Sequence, residues 1–417
     1  MNSTDSEQYP TNNDACEPLM GLATLMRMAF SGVDLAPLGA ELIKRAERNP
    51  NDANALMDLS TILQLKFNPE ISLATQAQAL EIQQLYHLPA SGPAGIRLLA
   101  IMGPGELMSN APLEFLLEGS DVALDMLYVA PNLPFPSSLP DHDLVFVGVG
   151  ESDRNRPLLK QLEQVMASWP RPVLNAPDRI VRTSRDNACA LLKSAPGVVM
   201  SISARIERQA LEQVGRGALS ITTVLEEGDF PIIVRPIDSH AGRGLEKIDD
   251  PNAIADYLQT MPDSAFYVAR FVDYRGPDGL FRKYRIVLIG GRPFAGHMGI
   301  SEHWMIHYLN AGMTENAAKR AEEARFMADF EEDFARRHKN ALNAIAERMA
   351  LDYLVIDCAE TADGRLLVFE VDTGAVIHAM DPVDIFPYKQ LPMRKVFDGF
   401  REMLVNTIKR SDVLTAS

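Results

Sequence analysis

The sequence predicts a multidomain chain of mixed α/β and α+β class, on three observations. Residues 18–88 carry four runs of helical periodicity broken by the turn-rich stretches SGVD, ERNPND and FNPE. Apolar strand-like runs IRLLAIM (96–102) and DLVFVGVG (143–150) then alternate with helical ones such as PLLKQLEQVMASW, the pattern of a largely parallel, two-sided layer. From about Pro177 onward strands come in pairs joined by short glycine turns.

Taken in order, residues 1–17 (MNSTDSEQYPTNNDACE) are polar and read as a disordered tail. The four helices of the 18–90 segment are placed at roughly 17–30, 35–48, 53–66 and 71–86. ERNPNDANALMDLSTILQ with the following QAQAL helix resembles a tetratricopeptide-type hairpin, at two units at most; a small helical domain packed on the next one is the plainer reading. ASGPAG (90–95) reads as a linker. The 94–177 region is an α/β domain in which VALDMLYVA fits strand or helix. Gly103-Pro104-Gly105 after its first strand lacks the spacing of a phosphate loop and reads as a strand-to-helix turn. Within 178–412, helices are predicted near 185–193 and 204–214, then strands at 230–237, 265–272, 283–289, 292–298, 353–358 and 365–372. A long helical stretch at 315–349, broken near 337, precedes the last strand pair, and a final helix covers 391–409.

The chain of 417 residues is 47% hydrophobic and 23% charged, ordinary for a soluble globular protein. No apolar run approaches the length of a membrane span, and the N-terminus lacks the pattern of a signal peptide. Three scattered cysteines, Cys16, Cys189 and Cys358, fit neither a disulfide framework nor a metal cluster, so a cytoplasmic location is expected. A net charge of −16 argues against nucleic acid as a partner.

The chemistry concentrates in two stretches. RLLVFEVD is an apolar strand that nevertheless carries Glu370 and Asp372 on one face. It pairs with YLVIDC through the Asp363-Gly364 turn; with those two residues central, Ala362 opposes Arg365 and Asp357 opposes Glu370. A four-residue loop keeps this register. A loop displaced by one residue sets Asp357 opposite Asp372, and only an odd loop separates the faces. Three clustered carboxylates repel. A hard divalent cation with oxygen ligands relieves this, which makes Asp357, Glu370 and Asp372 candidate Mg²⁺ ligands, with Mn²⁺ as a substitute. Pairing with neighbouring arginines, or solvent on that face, are the alternatives. The second stretch, VRPIDSHAGRGLEKI (234–248), ends a strand in Arg235 and continues through Gly242 and Gly244, where amides can approach phosphate oxygens; His240 and Arg243 add donors. Alone, it also reads as a basic surface loop.

In this order the stretches resemble the ATP-grasp superfamily, most closely its carboxylate–amine ligases of the glutathione synthetase and ribosomal-protein glutamate ligase kind. FPIIVRPIDSHAGRGLEKI is similar to the phosphate-covering loop, with Arg235 where lysine is usual, and FYVARFV to the linker strand, with Arg270, Phe271 and Val272 at the adenine hinge. The acidic residue usual beside that hinge is not evident. KYRIVLIGGRPF carries Arg285 at an often basic position, and Glu370-Val371-Asp372 stands where Glu-x-Asn is common. The resemblance covers about residues 96–410. It implies a pre-ATP-grasp α/β domain and a two-lobed ATP-grasp domain, with ATP and Mg²⁺ as cofactors. A carboxylate would be activated as an acyl phosphate and captured by an amine in an ADP-forming step, with Arg285 and His307 in the catalytic set. Arg182, Arg185 or Lys193 would reach phosphate.

ISEHWMIHYLNAGM (300–313) falls where such enzymes face their substrates, so His303, His307, Tyr308, Asn310 and, further on, His378 are substrate-contact candidates. Zinc is disfavoured because Glu302 precedes the first histidine, so HExxH is absent. The expected partners are small-molecule or peptide carboxylates and amines, and the resemblance allows a homodimer. Three alternatives stay open: a peptide- or protein-modifying ligase recruited by the helical segment, a non-catalytic nucleotide-binding protein on a decayed fold, and a phosphotransferase.

Overall fold

The computed structural model describes residues 17–415 except Glu227, Asp238, His240, Ala241, Tyr308 and Leu309. Four helices open it: α1 (Gly21–Phe30), α2 (Ala36–Arg48), α3 (Ala53–Leu65) and α4 (Pro69–Ile82). Asp52 caps α3 by accepting from the Ala55 amide, and α3 packs against the other three. The fourth helix ends earlier than predicted. Residues Leu85–Leu88 leave it as β1, pairing antiparallel with β3 (Val122–Tyr128), so the apolar Leu85-Tyr86 serves a sheet rather than a helix face.

The first sheet has the order β1-β3-β2-β4-β5, with β2 (Ile96–Met102), β4 (Leu144–Val147) and β5 (Val173–Leu174). All its pairings except β1–β3 are parallel, as the uniformly apolar runs predict. The 122–128 run resolves as a strand.

A second sheet, β7-β10-β8-β9, is antiparallel: β7 (Ser203–Glu207), β8 (Ile232–Pro236), β9 (Glu246–Ile248) and β10 (Ala265–Arg270). The helix predicted at 204–214 is β7 followed by the helix Arg208–Gly215. Helices Arg208–Gly215 and Ala253–Thr260 cover this sheet, and together they enclose a core of their own.

The third sheet runs β12-β11-β13-β14-β6: β6 (Val198–Met200), β11 (Phe281–Ile289), β12 (Arg292–Ser301), β13 (Tyr353–Glu360) and β14 (Leu366–Asp372). Its long helical insertion is three helices, Ala317–Ala328, Phe334–Arg337 and Lys339–Met349. The third sheet shares one continuous core with the first sheet and the final helix Gln390–Thr415. Asn175 fixes the join. Its side-chain oxygen accepts from the Asp352 and Tyr353 amides at 2.9 Å each, and its side-chain amide donates to the Tyr353 carbonyl at 3.0 Å. Among the described residues no helix is long and apolar enough to cross a membrane.

Candidate active site

The β13–β14 hairpin delivers the predicted opposition of Asp357 and Glu370, but by another route. Thr361 and Arg365 close a three-residue loop, the Thr361 amide donating to the Arg365 carbonyl at 3.0 Å, with Gly364 left-handed at φ 80°. An odd loop moves the near-turn register by one, to Cys358 opposite Val368. A bulge at Phe369 then restores it, so Asp357 faces Glu370 and Asp372 faces Val355. The three acids share one face.

A second bulge lies at the same level on the other side. Gly296 is the extra residue on β12, and Arg285 of β11 pairs with His297. A Cβ at Gly296 would lie 2.8 Å from the Arg285 carbonyl oxygen, so only glycine fits. Arg285 also pairs with Asp357. The result is a row across four strands: His297, Arg285, Asp357, Glu370.

Within this row the carboxylate repulsion is relieved by arginine and lysine. Arg285 grips Asp357 through two hydrogen bonds, Nε to Oδ1 at 2.7 Å and Nη2 to Oδ2 at 2.9 Å, and Lys283 adds Nζ to Oδ2 at 2.7 Å. Arg185, at the start of the helix Arg185–Leu192, ion-pairs with Glu370. Arg235 of β8 reaches the same Glu370 oxygen at 3.9 Å, across from the second sheet. Burial alone would raise the pKa of Asp357, but Arg285 and Lys283 hold it well below the usual carboxylate range. Burial, with the nearby Asp357, would raise Glu370 too, but Arg185, Arg235 and Lys283 together lower it. Burial, and then the adjacent Arg185, lower Arg235 to about 10 despite Glu370.

The donor set bears directly on the Mg²⁺ expectation. Asp357 has both oxygens engaged by cations, and Asp372 Oδ1 accepts from the Gly374 amide at 2.9 Å. Among the described residues no group of three or more His, Cys, Asp or Glu is arranged to hold a metal ion. The acids are of the right kind and share a face, yet as folded they do not fit a metal; the arginine pairing left open by the sequence is what stabilises them.

The second sheet presents a matching row, Arg205–Tyr267–Arg235, on β7, β10 and β8. Arg235 Nε donates to Ser239 Oγ at 3.1 Å, and its guanidinium also binds the Ser239 carbonyl, which folds the start of the glycine loop back on the strand. Gly242 and Gly244 have φ of 77° and 63°, and a Cβ at Gly244 would lie 2.8 Å from Pro236 Cδ. Arg243 turns outward to Asp263, 3.5 Å away. His240 lies outside the described residues. A Cβ on Gly242 would stand 3.6 Å from the Met305 sulfur, so this loop and the 301–307 segment approach each other.

At the hinge, the Arg270 carbonyl accepts from Ser201 Oγ at 2.8 Å and the Phe271 amide donates to Pro231 at 3.1 Å. Phe271 packs edge-on to Trp304, and Val272 packs against the main core. His303 and His307 are not aligned by a helix, because their segment is a series of bends. His307 is exposed, yet partial burial of its ring, then Lys283 and Arg285, lower its pKa. Of the three phosphate candidates in and around the helix Arg185–Leu192, only Arg185 reaches the row. Arg182 donates to the carbonyl of Arg348, and Lys193 faces Glu226 at 3.8 Å.

Lys283 and His297 were missed in the sequence. Lys283 had a signal: it stands two residues from Arg285 on one strand and therefore on the same face. His297 had none, because the Gly296 bulge sets its register.

No protein-family model matches the chain, and no curated protein matches it. Among solved structures it is similar to the VanG D-Ala:D-Ser ligase from Enterococcus faecalis, with 13% identity and a TM-score of 0.46 over 75% of this chain and 100% of that one. It is similar to a D-alanine–D-alanine ligase from Bacillus anthracis complexed with ATP, at 14% and 0.46 over 76% and 99%. A RimK domain ATP-grasp protein from Sphaerobacter thermophilus aligns at 17% and 0.39 over 75% and 99%.

Proposed function

We propose that the chain is an ATP-dependent carboxylate–amine ligase, ADP-forming, that works through an acyl phosphate. One observation carries this reading. Arg185, Arg235, Lys283 and Arg285, from one helix and one strand of each of two sheets, converge on one partly buried row. Four cations around two acids leave a surplus of positive charge, which a polyphosphate would neutralise. The glycine loop beside Arg235 supplies close-approach backbone, and the Arg270–Val272 strand end is where a base would lie.

In this reading ATP lies between the second and third sheets. A substrate carboxylate oxygen bonds to the γ-phosphorus as the bridging P–O bond breaks and ADP leaves. The amine nitrogen then bonds to the acyl carbon, phosphate departs, and the nitrogen loses a proton. The four cations hold phosphate oxygens in line and spread the charge that develops on them. Arg285, whose Nη1 donates to the Val376 carbonyl beyond β14, would follow the transferred phosphoryl group. A divalent ion, when bound with the nucleotide, would neutralise phosphate charge. His307, beside these cations and kept neutral, would contact substrate rather than phosphate.

The test is a screen of ADP and phosphate release over pairs of small carboxylates and amines. Stoichiometric ADP, phosphate and amide from at least one pair is the expected result. ATP binding without release from any pair would favour a non-catalytic nucleotide-binding protein.

A further inference from the structure

The helical segment carries the next inference, and it rests on the ligase reading. Helix α1 has no side-chain cap of its own. Its first amides are satisfied from elsewhere: Met20 and Gly21 donate to Asp58 of α3 at 2.9 and 3.0 Å, and Ala23 donates to Glu114 of the short helix 113–116 at 2.9 Å. The helix is thereby locked onto the first sheet's helical layer.

Its other side lies on the segment that leaves the acid strand. Ala23 packs with Phe115 and Met380, and Leu22, Met26 and Val376 close around them. Arg27 Nη1 donates to the Ala379 carbonyl at 3.3 Å, and the Phe30 and His378 rings lie 5.6 Å apart. Three residues before Ala379, the Val376 carbonyl accepts from Arg285 Nη1 at 3.3 Å. Residues 374–381 are thus tied at one point to the row and at the next to α1. The segment's start is pinned as well: a Cβ on Gly374 would lie 3.0 Å from the Met108 carbonyl oxygen. The loop that carries Met108 is in turn gripped by the helical segment. Gln76 of α4 exchanges two hydrogen bonds with Gly105, and Gln64 of α3 accepts from the Leu107 amide at 2.7 Å.

We infer that α1 is a wall of the substrate end of the cleft, with Arg27 and Phe30 as positioning residues. They hold segment 374–381 so that Arg285 keeps its orientation while the carbon substrates bind. The four helices then belong to the site and restrict it to acceptors that fit beneath them, so small molecules are favoured over a recruited protein.

The test uses the full chain with Arg27→Ala and Phe30→Ala combined. Both side chains are partly exposed, so the fold should survive their removal. Amide exchange in 374–381 should rise by about tenfold or more, while exchange in the second sheet is unchanged. ATP affinity by calorimetry should stay within about twofold of wild type. In the release screen, KM for the carboxylate or the amine should rise about tenfold with KM for ATP unmoved. The conservative pair Arg27→Lys and Phe30→Tyr should restore both. Unchanged exchange in 374–381, or unchanged KM for both carbon substrates, overturns the inference. Wild-type protein that fails to bind ATP overturns the ligase reading instead, and the exchange result still decides the role of α1.

Discussion

Asp357 is 2% exposed and charged, a costly combination that survives only because Arg285 and Lys283 hold it. Removing one partner of such a buried pair leaves the others uncompensated. Asp357→Asn should therefore lower stability by roughly 3–5 kcal/mol, read as a fall in the urea midpoint. Acid should act on the same pairs. Asp357 and Glu370 have folded pKa values below their unfolded ones, so the stability they lend is complete above the usual carboxylate range and drains away as pH falls through their folded values. Wild type should lose midpoint steeply below about pH 4, and Glu370→Gln less so. The engaged oxygens also make a metal prediction. Mn²⁺ should bind nucleotide-free protein weakly, and ADP should tighten it by about tenfold or more as phosphate takes over the cations; spin-resonance titration reads this. Tight Mn²⁺ binding without nucleotide, lost in Glu370→Gln, would show a preformed metal site.

The row depends on two bulges, and an element-level count could not see them. The Asp363-Gly364 turn pointed to Asp357 opposite Glu370, and that pairing holds. It holds because an odd loop shifts the register one way and the Phe369 bulge shifts it back. A bulge has no composition signature of its own, whereas the alternation that placed Glu370 and Asp372 together survives any loop length. The same limit hid His297 and turned half of a predicted helix into β7, where SARIE has no strong period of either kind. Gly296 is the sensitive point. Gly296→Ala would push a Cβ against the Arg285 carbonyl, so ATP affinity should fall about tenfold or more with little loss of secondary structure, by calorimetry alongside circular dichroism. Gly364→Ala, strained at φ 80° but in open space, should instead cost about 1 kcal/mol of stability and leave binding alone.

At the scale of the molecule, the helical segment was legible as four helices but not as part of the site. Burial of one face announces that a partner exists, not which surface it is. The contacts through Gln64, Gln76 and Arg27 join residues far apart in sequence and leave no local trace. Deleting residues 1–90 would remove β1, with the fully buried Tyr86, and should give a protein that aggregates or unfolds at lower denaturant than the full chain.

The central claim is that the four cations form a polyphosphate site between the second and third sheets. Calorimetric titration of ATP with Mg²⁺ tests it most directly, on wild type and on Arg235→Ala, with Arg243→Ala as a control facing outward to Asp263. The account predicts one ATP per chain, an affinity loss of about a hundredfold in Arg235→Ala and little change in Arg243→Ala. No binding to wild type, or equal binding to Arg235→Ala, would contradict it.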